Sequence, residues 1–277
     1  MMKFKKYSLN GIDIKIYNHK DYFVVEEFLL KELQFGEYNF NKVNWGESLD
    51  NPVLLDLGGN CGVLAIYLAL KYPFLKIYSF ESDPRNFEIY QDNLKLNNLE
   101  NHTNLQAFNL AVTSDGNDIF IDDSSFHHSG GNKVSKLDKN NLGIKVKSIT
   151  LDNIIKEHNI KKIKYFKMDI EGSEFDVIYN SLLFKTTPIE YLGCELHGDF
   201  KANEDLEYYI KQYVKEENVI IEKMDIKYQN KIFNRVLISK IVTKYYKACY
   251  NFGLIRKFNF YILLSFLAFM LNLMKTK

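Results

Sequence analysis

Cysteine is scarce in this chain, neither sign of charge dominates, and a secretory leader is missing. The three cysteines, Cys61, Cys194 and Cys249, are too few and too scattered for a disulfide framework or a zinc site, and they suit a reducing cytoplasm. A net charge of +1, from 36 basic and 35 acidic residues, gives no global field to recruit nucleic acid. Lys161, Lys162 and Lys164 then read as a solvated helix end. The opening residues Met1 to Tyr7 lack the apolar core of a signal peptide, and Gly11 to Ile16 alternate like a strand. Also absent is the Gly-x-Gly-x-x-Gly fingerprint of dinucleotide binding, which Asn60 and Val63 break, so a nicotinamide cofactor is disfavoured.

What is present is an apolar segment, Val53 to Leu57, running into Gly58-Gly59-Asn60-Cys61-Gly62 and then an apolar helical stretch from Val63 to Leu70. Strand, tight turn and helix in that order describe the cofactor crevice of a doubly wound sheet. A second strand at 75–80 ends in Glu81, where a carboxylate can grip ribose hydroxyls. Downstream the pattern predicts helix 85–97, strands 105–112, 118–122 and 144–149, helix 151–158, strand 163–169, helix 173–183, strand 189–196, helix 204–216, and strands 218–224 and 231–239. The alternation means a mostly parallel α/β sheet covered on both faces. The link 225–230 is too short for a parallel crossover, so the last two strands form an antiparallel hairpin at the sheet edge. Three regions follow: 1–50 as a hairpin and a cap helix (22–33), 51–240 as the catalytic domain, and 241–277 as an apolar helical tail. The polar loop 122–142 is expected to carry substrate contacts.

Candidate chemistry concentrates at strand ends. Tyr165 to Glu174 puts Asp169, Glu171 and Glu174 at the carboxyl end of a central strand, where such sheets bind ligands, although Glu174 also fits the first turn of a helix. The neighbouring strand ends in Glu195 and His197, which alternation places on one side. His197 is the natural base at neutral pH, with Asp169, Glu171 and Glu195 as alternatives. Asp169, Glu195 and His197 as an oxygen-rich divalent-metal site is a lesser alternative, and no metal ligand is assigned.

Four motifs together resemble the FkbM family of S-adenosylmethionine-dependent O-methyltransferases over residues 20–240: Asp56-Leu57-Gly58-Gly59-Asn60-Cys61-Gly62; Phe80-Glu81-Ser82-Asp83-Pro84; Asn93 to Asn97 with Asn109 to Val112; and Thr150-Leu151-Asp152 with Lys167 to Glu174. Two departures are mild: Gly59 replaces the usual alanine, and Ser82-Asp83 moves the proline by one place. The resemblance implies a class I, Rossmann-like, seven-stranded fold and S-adenosylmethionine as cofactor. It further implies that Gly58 and Gly62 admit the methionine portion, Asp56 and Asn60 hold its charged ends, Glu81 takes the ribose and Asn109 lies by the adenine. The implied acceptor is a hydroxyl of a small molecule or glycan, with RNA methylation and a non-catalytic scaffold as rivals. Phe258 to Met274 is apolar at fourteen of seventeen positions and is followed by Lys275 and Lys277. That run suits contact with the inner face of a membrane, or burial in a homodimer.

Overall fold

The computed structural model describes residues 4–17, 38, 40–46, 51–122, 134–135 and 143–223. The expected cap helix, most of the polar loop, the edge hairpin with strand 231–239 and the apolar tail all lie outside the described residues. Among the described residues, no helix is long and apolar enough to cross a membrane.

The chain opens with a hairpin of β1 (Phe4–Leu9) and β2 (Ile12–Tyr17). Its two-residue turn, Asn10-Gly11, has positive φ at both positions (50° and 79°), the geometry that matches strand twist and favours this dipeptide. Six strands then form one parallel sheet: β3 (Val53–Leu57), β4 (Lys76–Phe80), β5 (Leu105–Phe108), β11 (Ile163–Met168), β12 (Ile189–Leu196) and β13 (Val219–Lys223). Their spatial order is β13–β12–β11–β3–β4–β5. All five residues of β3 are buried, as a strand covered on both faces requires. Side-chain alternation splits them: Leu54 joins a cluster with helix α1 (Val63–Lys71) and the hairpin, while Val53, Leu55 and Leu57 join one with helices on the other face.

Helix α1 is apolar on every side because it lies between partners, touching both β2 and β4. Helix α2 (Pro84–Leu96) begins with Asp83 capping the Arg85 amide and proline in the first turn. Two asparagines of the third motif, Asn93 and Asn97, hold the hairpin onto α2: Asn93 Oδ1 accepts from the Tyr17 amide, and Asn97 bonds both the amide and the carbonyl of Lys15. That motif therefore works as a fastening.

Several expected elements divide. The strand expected over 105–112 stops at Phe108, because the Asn109 amide turns back to donate to the carbonyls of Glu81 and Ser82. Its remainder, β6 (Ala111–Val112), pairs with β10 (Ser148–Ile149) in a separate parallel ladder. The expected strands at 118–122 and 144–149 likewise leave the main sheet: β7 (Ile119–Asp122) joins β8 (Val134–Ser135) and β9 (Gly143–Val146) in an antiparallel sheet of three strands. The Asp152 carboxylate of α3 (Leu151–Glu157) accepts from Ser181 Oγ and the Leu182 amide, which breaks the helix expected over 173–183 into α4 (Glu174–Asn180) and α5 (Leu183–Thr186). Helix α6 (Phe200–Lys211) starts four residues earlier than expected because Asp199 caps it.

Candidate functional site

The sheet order reverses between β3 and β11: the chain moves outward on one side through β4 and β5, then returns to build β11, β12 and β13 on the other. A crevice must open at such a switch point, outside the carboxyl ends of the two strands. Gly58 follows β3 there and Asp169 follows β11, and both line a cleft shared with Asn60, Glu81, Asp83, Asn86, Asn109's neighbour Leu110, and Glu171.

The glycine turn is shaped by the protein's own packing. Gly58 has φ 82°, and a Cβ there would lie 1.8 Å from the Asp169 carbonyl oxygen. At Gly62, φ is 81° and a Cβ would lie 2.0 Å from the Tyr90 ring. Gly62 does not line the cleft; it admits Tyr90 beneath the start of α1. Gly62→Ala is expected to destabilise by about 2–3 kcal/mol through backbone strain and overpacking. A lowered urea midpoint at unchanged slope checks this. A Cβ on Gly59 would approach Ser79 Oγ to 2.4 Å, so the family's alanine at this position would require a shift of the hydroxyl that donates to Asp56 Oδ2 at 2.6 Å.

Across the cleft, Glu81 is buried and heavily bonded. Its carboxylate accepts from the Asn60 amide (2.8 Å), the Asp83 amide (2.8 Å) and Asn86 Nδ2 (3.3 Å). Burial nonetheless pushes its pKa up to about 7, against those bonds. Asn60 holds a left-handed φ of 49° and accepts from the Cys61 amide, so it shapes the turn as well as lining the cleft. Asp56 does not reach the cleft. It is buried between Ser79 and Lys167, 3.7 Å from the latter's Nζ, with Oδ1 lacking a hydrogen bond. Asn109 spends its side-chain amide on the carbonyls after β4.

The other wall gathers ionisable groups. His197 is enclosed by three carboxylates: Nδ1 is 3.1 Å from Glu174 Oε1, and Nε2 is 3.4 Å from both Glu171 and Glu195. Burial works against its charge, but the hydrogen bonds to Glu174 and Glu195 outweigh it and push the pKa up to about 11. At neutral pH the ring is an imidazolium with no lone pair to offer, so the expectation of a histidine base meets a physical obstacle. Glu174, fully buried, also accepts from the amides of Ile170 and Gly172, tying His197 to the turn after β11. In that turn Glu171 takes a left-handed φ of 54°, which a non-glycine residue adopts only when its surroundings enforce it. Burial and the Asp169 charge raise Glu171 to about 7; burial raises Asp169 to about 6, with Lys167 opposing. Atoms of Asp169, Glu195 and His197 lie within 4.8 Å of one another, close enough to converge on a cation, although the imidazolium already supplies one.

Sequence reasoning missed Lys167 as a site residue. Its signal is a lysine inside an otherwise apolar strand, buried on a sheet covered on both faces.

Residues 62–236, well over half of the chain, match the profile of the methyltransferase FkbM domain. Among curated proteins, the chain is 28% identical to Methyltransferase 1 of Beauveria bassiana over 47% of its own length and 58% of that protein's. It is 22% identical to Methyltransferase sdnD of Sordaria araneosa over 55% of this chain and 67% of that one. With the hexuronic acid methyltransferase AglP of Haloferax volcanii it shares 25% identity over 63% and 68% of the two chains. The chain thus spans well under two thirds of the first of these relatives. Of solved structures, Methyltransferase FkbM from Methylobacillus flagellatus KT is 15% identical over 68% of this chain and 47% of that one, with a TM-score of 0.37, too slight a likeness to support an inference about the site.

Proposed function

The chain belongs to the methyltransferase FkbM domain family, and from that premise we propose that it moves the methyl group of S-adenosylmethionine to a hydroxyl oxygen, that of a sugar in a surface glycan or its lipid-linked precursor. Glu81 carries the reading: a buried carboxylate at the end of β4, facing a glycine turn across the switch point, suits a ribose diol. The sugar acceptor draws support from the hexuronic acid methyltransferase among the relatives. The apolar run at 258–274 suits an acceptor held at a membrane surface.

The residues present fit such a cofactor. Gly58 lets the turn pack against the Asp169 backbone where both residues line the cleft, and Asp169 Oδ1 is a buried acceptor without a hydrogen bond. When bound, S-adenosylmethionine supplies a methyl group on a positively charged sulfur, a ready electrophile. The chain's task is then alignment, worth up to about 7–11 kcal/mol in well-ordered cases, with a smaller share from proton removal. For the proton, Glu171 is the best placed carboxylate: it lines the cleft, its side chain is 32% exposed, and its pKa near 7 suits an acceptor working at neutral pH. His197 beside it stays charged and steadies the ionised form.

The test pairs calorimetry with S-adenosylhomocysteine and transfer of labelled methyl to a panel of glycosides, uronates included. Binding in the micromolar range with label in a sugar ether is the expected result; a folded protein that binds nothing refutes the reading. Glu171→Gln should lower turnover about 100-fold, the low end for a positioned base, while leaving homocysteine-product affinity within about twofold.

A further inference from the structure

Lys167 stands beneath the cleft without lining it, and neither the cofactor assignment nor the proton acceptor uses it. Its register partner across the β11–β3 ladder is Asp56, and its side chain is only 6% exposed. Nζ donates to the Gly58 carbonyl at 2.7 Å and lies 3.5 Å from the Leu57 carbonyl, 3.7 Å from Asp56 and 3.8 Å from Asp169. One cation thereby contacts the last residue of β3, the glycine that follows it and the acid that follows β11, the three backbone and side-chain groups that meet at the switch point. The two strands are also joined there by the Asp169 amide, which donates to the Leu57 carbonyl. The buried Asp56 Oδ1 has no hydrogen bond and lies 3.7 Å from Nζ, so the ammonium's charge is what compensates it, and the same ammonium is 3.8 Å from Asp169 Oδ2.

We infer that Lys167 is a positioning residue that locks the Gly58 peptide and the Asp169 carboxylate into one arrangement, presetting the cleft floor for the aminoacyl end of the methyl donor. The inference rests on the proposed donor. The Gly58 peptide can turn in two senses because glycine tolerates either. With its carbonyl held on Nζ and its amide donating to the Phe80 carbonyl at 2.9 Å, the Gly58 residue is fixed from both sides. Asp169, drawn to the same cation, keeps a carboxylate on the floor where an ammonium would arrive. Glu81 and Asn86 stand on the opposite wall, away from these contacts, so the nucleoside end has separate support.

The two halves of the donor can be probed apart. S-adenosylhomocysteine carries the aminoacyl end, whereas 5′-methylthioadenosine retains the nucleoside and lacks it. Titrating both into wild type and Lys167→Met by calorimetry should give at least tenfold weaker binding of the first and less than twofold change in the second. Equal loss of both ligands in the variant means general damage to the fold and overturns the inference, as does unchanged affinity for both. Should the variant fail to fold because Asp56 is left uncompensated, the K167M/D56N pair removes that charge and is read by the same two ligands. A wild type that binds neither ligand brings down the donor reading itself, whereas a wild type that binds both isolates the fate of Lys167.

Discussion

Replacing His197 by alanine is expected to remove about 3–5 kcal/mol of stability, the usual loss when one partner of a buried ion pair is deleted. Glu174 is fully buried and would lose its nearest cationic partner, and Glu195 and Glu171 would lose the ring that stands between them. A loss of that size is a large share of an ordinary domain's stability, so reduced turnover in the variant would reflect folding as much as chemistry. The sign of the pH dependence follows from a pKa raised from 6.5 to about 11: the contribution is complete below pH 6.5 and fades as pH climbs through about 11. Melting temperature should therefore drop between pH 7 and 10 in the wild type, and drop less in the variant. A double-mutant cycle with Glu174→Gln should return a coupling of about 0.5–3 kcal/mol. Stability within about 0.5 kcal/mol of wild type would show that the carboxylates need no cation there.

Glu81→Ala should weaken cofactor binding more than about 100-fold, since two ribose hydroxyls bonded to a charged acceptor contribute about 1.5–3 kcal/mol each. The same carboxylate gathers the Asn60 and Asp83 amides, so the variant also loosens the rim that faces the glycine turn. Glu81→Gln separates these effects by keeping the volume and losing the charge. Burial places the wild-type pKa near 7, and the ionised form is the acceptor, so affinity should weaken as pH falls from 8 to 6. In the glutamine variant that slope should vanish. Calorimetry at the two pH values reads both outcomes, and undiminished affinity in Glu81→Ala would strip the residue of its role.

The parallel sheet was legible because its strands are short apolar runs separated by helix-length amphipathic ones, and 53–57 and 189–196 match β3 and β12 residue for residue. Boundaries failed where a single side chain intervenes from afar. Asn109 ends β5 by reaching the carbonyls after β4, and Asp152 splits a helix through Ser181; neither contact leaves a local trace in hydropathy. At the site, the acids after β4 and β11 were readable from position alone, since carboxyl ends of parallel strands converge on the crevice. The protonation of His197 was not readable. It depends on Glu174, from a helix that starts beyond the turn, folding back to within 3.1 Å. Asp56 read as a ligand because it sits beside the glycines, yet alternation along β3 sends it inward to Ser79 and Lys167.

The two glycines with positive φ answer to neighbours inside the protein, the Asp169 backbone at Gly58 and the Tyr90 ring at Gly62. A duplicated copy that had given up the reaction would still need both to fold, and selection would preserve them in silence. Sorting working enzymes from retired ones in a genome should accordingly weigh Glu81 and Glu171, whose carboxylates answer to the cleft, above the glycine signature.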